Sequence, residues 1–459
     1  MENRLGVSKI TDQVALANSP YNEEMVKTFL HSALLQAGLG QQDLATPLAD
    51  IIQPGMSVLL KPNWVLHTNL SGQGMECMVT QPNFILAALR EVLACHPGRV
   101  LIGDAPVQSC QFDALISDNF HQKVVEMATC PVEIMDFRRT ITGQPVLSQA
   151  ANEEHYVLFD LGTDSLLEPI SRPTGRFRVT SYDPRQLAKT HQPGRHQYLL
   201  SRAAFEADII INLPKLKTHK KAGLTAALKN LVGINGNKDY LPHHRLGGSA
   251  LGGDCYPGVA PVKRAIEFCL DRGNRVIGQP AYSHWMQLTT ILKRVQHRLG
   301  ERILNLEGSW YGNDTVWRMS LDLNRLLLYG KADGTLSDSR LRTIYSLTDG
   351  IIAGQGDGPL ASTPLALGIV TFGASSPFAD LLHAALLHLD GGKIPLVREA
   401  FGGFRYPLTN TTPHTAQVYW EGRILSISEA AQSLGRSAIP PTGWKNHIEM
   451  NTGFPGGSQ

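Results

Sequence analysis

An excess of charge of either sign is missing from this chain: 42 lysines and arginines stand against 40 aspartates and glutamates in 459 residues. Proteins that grip nucleic acid or a membrane surface through bulk charge are usually more lopsided, so neither partner is expected and local basic clusters carry the information. No apolar run approaches the length of a membrane span. The first twenty residues lack the apolar core of a secretory leader. A cytoplasmic chain is the expectation. Six cysteines are present, and the closest two, Cys255 and Cys269, lie 14 residues apart. That spacing fits neither a zinc nor an iron–sulfur ligand set, so reduced thiols and no iron–sulfur cluster are expected. Cys255, in the glycine loop GGDCYPG, is the one thiol placed to react. A 42% hydrophobic share and a mean hydropathy of −0.12 suit a folded globular chain. The length points to two lobes, or one core with a large insertion.

What is present is an alternation of apolar strands with helices. Val26, Phe29, Leu30, Ala33 and Leu34 recur at helical spacing, Gly38 and Gly40 close that helix, and a short helix is expected over 43–52. Val58–Leu60 reads as a strand buried on both faces, stopped by Lys61-Pro62-Asn63. A helix capped by Thr80 follows, running to Leu93. Further strands are expected at 99–106, 132–137, 157–159, 177–183, 207–215, 343–354 and 365–374, with His191, Arg195 and His196 in a turn-rich connection. A helix is expected over 378–391 and a hairpin turning at Glu421-Gly422. The tail beyond Pro440 reads as loosely held. The pattern predicts an α/β fold, with a mixed, largely parallel sheet flanked by helices. The core is expected at 1–247 and 341–459, with 248–340 as an insertion or second lobe. Open α/β sheets bind ligands beyond the carboxyl ends of their strands. Asn63, Asp104, Lys215 and Asp349 are therefore expected to face one crevice.

The chemistry concentrates in residues 207–247. An apolar strand, ADIIINLPK, leads into a basic turn, a helix over Gly223–Asn230 and a glycine-broken loop. The segment carries Lys215, Lys217, Thr218, His219, Thr225, Lys229, Asn230, Lys238, His243 and His244. Lys229, on a helix, is held rigidly enough to bind an anion, attack a carbonyl or move a proton. A solvated surface lysine is the plainer alternative. One histidine of the adjacent pair, His244, is the candidate metal ligand. The glycines of GINGNK and GQGDGP match no phosphate loop, and a tight turn is expected at the latter.

The blocks LLKPNW, IGDAP, INLPKLKTHKKAGLTAALKNLVG and DGIIAGQGDGP resemble the domain-of-unknown-function family 362 over roughly residues 55–400. Relatives often carry an Asp-Pro pair before the penultimate helix; here Ser376-Pro377 stands there and Asp380 is retained. Many relatives also carry a ferredoxin-like cysteine cluster, which this chain lacks. A shorter stretch is similar to the nickel-pincer lactate racemases. His219, Ala222-Gly223, Lys229 and His244 follow their order and spacing, with Ala226-Ala227-Leu228 in place of the Gly-Gly before the lysine. That resemblance implies a catalytic acid/base at His219, a cofactor-bearing Lys229 and a nickel ligand at His244.

In the stretch expected to be inserted, EGSWYGNDTVWRMSLDLNR offers Arg318 as a ligand for a carboxylate or sugar. Its plainer reading is a helix with Trp317 and Leu321 in the core and Asp314–Arg318 as an i,i+4 pair. The leading expectation is an enzyme for a small anionic or polyhydroxylated metabolite that moves a proton next to a carbonyl. His219, Lys217 and Lys229 would be catalytic, and Asn63, Asp104, Lys215, Asn230 and Arg318 would bind substrate. A divalent metal or pincer-type cofactor is a variant. A non-catalytic binder of phosphate or anionic glycan is the rival class, and an iron–sulfur redox protein a weaker third.

Overall fold

The computed structural model describes residues 2–141, 144–145, 153–298 and 306–450. Eleven strands form one mixed sheet: β1 (Arg4–Lys9), β2 (Ser57–Pro62), β3 (Arg99–Asp104), β4 (Val132–Asp136), β5 (Ile209–Leu213), β6 (Lys215–His219), β7 (Gly223–Thr225), β8 (Ile344–Gln355), β9 (Thr363–Gly373), β10 (Gln417–Trp420) and β11 (Arg423–Leu425). Their order is β11-β10-β1-β9-β8-β5-β2-β3-β4, with β6 alongside the far half of β8 and β7 folded back on β6. β8, β5, β2, β3 and β4 run parallel, while β9 is antiparallel to β8 and β1. The α/β expectation holds. Ile210 pairs with Leu59 and Ile211 with Leu60, so the most apolar runs meet in the centre, buried on both faces as parallel strands require.

The helices that matter are α1 (Glu23–Gln36), α2 (Pro82–Leu93), the one-turn α3 (Ala227–Asn230), α4 (Pro261–Asn274), α5 (Ala281–Arg298), α6 (Val316–Tyr329) and α7 (Ser376–Leu386). α1 buries Val26, Leu30, Ala33 and Leu34 as the spacing predicts. Within the stretch expected to be inserted, two behaviours appear. α4 and α5 form a hairpin over a small apolar cluster of its own, around Cys255, Tyr256, Ile266 and Leu306. α6 instead lies in the same core as Leu59 and Leu216, through Trp317, Leu321 and Leu326.

Local expectations fail where long-range contacts take over. The helix expected over 43–52 is a 3-10 turn, Pro47–Asp50. Thr80 does not cap α2; its hydroxyl donates to the carbonyl of Leu213, 133 residues away. The strand expected at 177–183 shrinks to Phe177–Arg178. His191 and His196 sit in a buried hairpin, Arg195 pairing with Gln192. The tail beyond Pro440 is docked: Trp444 is 1% exposed, and its Nε1 donates to the carbonyl of Lys220 at 2.8 Å. A large apolar side chain with a polar handle needs such a partner when buried. The hairpin at Glu421-Gly422 stands, both residues having positive φ.

Candidate functional site

The parallel strands end together. Asn63 follows β2, Asp104 closes β3, and β5 breaks at Pro214 before the chain resumes as β6. The expected basic turn is therefore a fully buried strand, Lys215–His219. Four residues after His219, Gly223 takes φ +79°, a conformation open to glycine at little cost, and β7 pairs back on β6. Because Gly223–Thr225 is strand, the expected helix starts only at Ala227. Asp380 holds its first turn, accepting the backbone N–H of Ala227 at 2.7 Å and of Leu228 at 2.9 Å.

At these strand ends lies a cavity of about 800 Å³. Its polar lining includes Asn63, Lys221, His219, Lys229 and His243, and its apolar walls include Trp64, Val107, Val179, Val232 and Leu360. Thr225, Asn230, Lys238, Asp239 and Glu307 also reach it. The structure thus brings together Asn63, Asp104, His219, Lys229 and Asn230 from the expected set.

Five expected residues, Asp349 among them, lie elsewhere. Lys215 pairs with Asp349 at 2.9 Å and donates to the Tyr21 hydroxyl at 2.5 Å, fully buried on another face. Lys217 is also fully buried, with its ammonium directed to the carbonyl of Met78. Burial and the charge of Lys215 bring its pKa down to about 7. Neither residue lines the cavity: the Lys215 ammonium is held by Asp349 and Tyr21, and that of Lys217 by the carbonyl of Met78. Arg318 is held by Asp314 and the carbonyl of Leu166 and faces a separate groove. His244 is buried in a short strand pairing with Arg178 and does not line the cavity.

Two of the converging groups are framework. Asp104 accepts from Lys61 at 2.7 Å, from the Trp64 N–H at 2.6 Å and from the Ala105 N–H at 2.8 Å. Burial pushes the Asp104 carboxyl up and the Lys61 ammonium down, and each charge opposes the other's shift. Asn230 donates to Asn212 Oδ1 and to the Lys61 carbonyl and accepts from Asn63 Nδ2 at 2.8 Å. Its hydrogen-bonding capacity is spent on joining α3 to β5 and β2. Gly233 lets this frame close: a Cβ there would stand 1.9 Å from Asp104 Oδ1.

The free chemistry is at His219, His243 and Lys229. His219 Nδ1 accepts the backbone N–H of Lys221 at 3.0 Å and of Ala222 at 3.2 Å. The proton of the neutral ring is therefore assigned to Nε2. His243 Nδ1 lies 2.7 Å from the carbonyl of Leu241, which can only accept. Its proton is therefore on Nδ1 and the Nε2 lone pair is open. Burial, together with Lys229 and other cations, holds both imidazoles well below their usual pKa, so both are neutral at physiological pH. His219 thus presents a hydrogen-bond donor and His243 an acceptor, whereas the resemblance implied the acid/base at His219. His243 was visible in the sequence only as the neighbour of His244.

The Lys229 ammonium makes no ion pair or hydrogen bond among the described residues; burial and the nearby Lys221 and Lys61 lower its pKa to about 8. Lys221, lowered to about 8 mainly by burial, donates to Thr180 Oγ1. Asn63 Oδ1 and Thr225 Oγ1 are buried without a partner among the described residues. Asp239, missed in the sequence because nothing about an isolated KDY turn marks it, has its pKa raised to about 6 by burial and the charge of Asp183. Cys255 is buried with its pKa pushed well up by burial and Glu267, so it is not a reactive thiol.

The ammonium of Lys229 is lost as pH rises through about 8, while the imidazoles are already neutral there. Affinity for a small carboxylate is therefore expected to be highest below pH 8 and to fall above it. Titration calorimetry across that range checks this, and Lys229→Met should bind weakly at every pH.

The donor set does not fit a pincer cofactor. Among the described residues no three His, Cys, Asp or Glu side chains gather as metal ligands. His244, the residue matched to the nickel ligand, does not share the cavity with Lys229. The amides of the GQGDGP turn are likewise committed, Gly356 N–H to the carbonyl of Ile439 and Gly358 N–H to that of Gly356, so the structural-turn expectation stands there.

Fold and cavity together define an α/β protein with a cationic, two-histidine pocket at its strand ends. Residues 167–384, a stretch that includes His219, Lys229 and His243, match the family model described as domain of unknown function (DUF362). A thylakoid-associated protein of Synechocystis is 26% identical over 186 residues, 40% of this chain. The chain spans 41% of that relative's length. A crystal structure of a Thermotoga maritima protein overlays on 75% of this chain and 54% of its own at 11% identity, with a TM-score of 0.31. Among the described residues no helix is long and apolar enough to cross a membrane.

Proposed function

We propose that this chain is an enzyme that moves a proton next to the carbonyl of a small anionic substrate, as an isomerase or racemase does. The observation that carries the reading is the pair of opposite tautomers at one cavity: an open Nε2 lone pair on His243 and an Nε2–H on His219. His243 would take the proton from carbon and become imidazolium. The electron pair left behind would move onto the carbonyl oxygen, where the His219 Nε2–H and the Lys229 ammonium would hold it. His243 is a weak base in the free protein because it is buried and, in addition, cations surround it. A bound carboxylate offsets those cations and raises its basicity, so the base is strengthened when substrate is present. The unpartnered Asn63 Oδ1 and Thr225 Oγ1 supply acceptor sites for a substrate hydroxyl. The apolar walls favour an anion with an apolar body over a polyhydroxylated one.

The test is proton exchange. The protein is incubated in D2O with a panel of 2-hydroxy and 2-oxo carboxylates, and loss of the α-proton signal is followed by NMR. Catalysed exchange on at least one member is expected. If anions bind, none exchanges, and His243→Gln binds them as well as the wild type, the chain is a binding module for an anion and the enzyme reading fails.

A further inference from the structure

The charge balance of the whole chain hides a local surplus. Residues 261–298, the α4–α5 hairpin, hold seven lysines and arginines against Glu267 and Asp271, a surplus of five where the whole chain has two. Both acids are turned inward. Glu267 accepts the N–H of Gly247 at 2.9 Å, and Asp271 is clamped by Arg178 at 2.7 Å. Arg264, Arg272, Arg294 and Arg298 are exposed, and none makes an ion pair among the described residues.

The same hairpin is apolar on the wrong side for a helix packed in a soluble core. The buried positions of α5 are Thr289 and Gln296, whereas Leu288, Ile291 and Val295 are 41%, 53% and 42% exposed. Their spacing of three and four residues puts them on one stripe. Phe268 of α4, also exposed, extends the stripe by meeting the edge of Trp285 at 6.1 Å, and Arg272 lies over the Phe268 ring. An exposed apolar stripe flanked by arginines, with no exposed acid among the described residues of the hairpin, is the signature of a helix that lies in a membrane interface. The turn between the helices also matters. Arg275 and Ile277, both exposed, line the cavity that holds His219 and Lys229, so the cavity reaches the surface beside this patch.

We propose that the α4–α5 hairpin is a docking face for an anionic lipid bilayer. Leu288, Ile291, Val295 and Phe268 enter the boundary between headgroups and acyl chains, and the arginines around them meet lipid phosphates. Charge decides against a second copy of the chain as the occupant. A two-fold dimer would set this patch against itself, and two surpluses of five positive charges repel. The expectation of no membrane partner came from total charge, which averages the hairpin away. The docking face stands independently of the chemistry in the cavity.

The test uses the full chain in sedimentation with vesicles of phosphatidylcholine alone or mixed with phosphatidylglycerol. Binding to the anionic vesicles is expected, weakened about tenfold or more on neutral vesicles or at high salt. The double variant Ile291→Asp/Val295→Asp changes two exposed positions. It should keep the wild-type melting temperature and lose binding by more than about tenfold. Arg294→Gln should weaken binding about fivefold. Failure to bind anionic vesicles overturns the proposal. So does unchanged binding by the double variant. A wild-type dimer that the double variant dissociates, with no vesicle binding by either, assigns the patch to a second copy instead.

Discussion

The His243→Gln variant is expected to exchange the α-proton of a responsive carboxylate about 10²–10⁴-fold more slowly than the wild type, with little change in affinity. Glutamine keeps an amide near the cavity but offers no basic lone pair. His219→Asn makes the opposite test. An asparagine oxygen can still accept the amides that follow it in the turn, so the turn of Lys221 and Ala222 survives while the Nε2–H donor is withdrawn. Loss of one such donor costs about 10²–10³ in rate. The pH profile separates the two roles. Both imidazoles are held well below their usual pKa, so the acid limb of kcat/KM is expected well below pH 6.5, and the alkaline limb near 8 belongs to Lys229. If His219→Asn is the slower of the two and His243→Gln retains wild-type exchange, the assignment of base and donor is reversed.

Asp104→Ala is expected to lower unfolding stability by about 3–5 kcal/mol, because it leaves a fully buried ammonium without its counterion. Lys61 is 0% exposed and Asp104 3%, so no water replaces the lost carboxylate without opening the frame. The substitution also strands the amides of Trp64 and Ala105, which donate to Asp104 in the native chain. Urea unfolding of Asp104→Ala, Lys61→Met and the double variant checks the cause. The double variant should be more stable than Asp104→Ala alone, since the charge that caused the damage is gone. Equal instability of the two would show that the amide hydrogen bonds, and not the ion pair, dominate. A second consequence concerns the site. Asp104 and Lys61 support Gly233 and Asn230, so Asp104→Ala should also impair anion binding at Lys229.

Much of the fold was legible because its signals are local. The continuous apolar runs at 58–60 and 209–211 mark strands buried on both faces, and the proline and glycine breaks mark where they stop. Those breaks also located the cavity, since polar residues placed just after such strands converge at one edge of the sheet. The dense stretch of lysines and histidines after β5 supplies His219 and Lys229 to the cavity, and the break after β2 supplies Asn63.

The sequence by itself determined the fold class, the edge of the sheet where polar chemistry gathers and five of the side chains there. Only the tertiary structure decided which neighbours face the cavity. His243 and His244 are adjacent, and neighbouring residues of an extended segment point to opposite sides; which side is inward depends on the pairing of His244 with Arg178, 66 residues earlier. Lys215 is removed from the cavity by Asp349, 134 residues later in the chain. The tautomers that divide donor from acceptor are set by a carbonyl at Leu241 and by amides at Lys221 and Ala222. Such partners depend on how the backbone turns after β6 and after Tyr240. No residue type or spacing encodes a proton's position, because it is fixed by the group that faces the ring once the chain has folded.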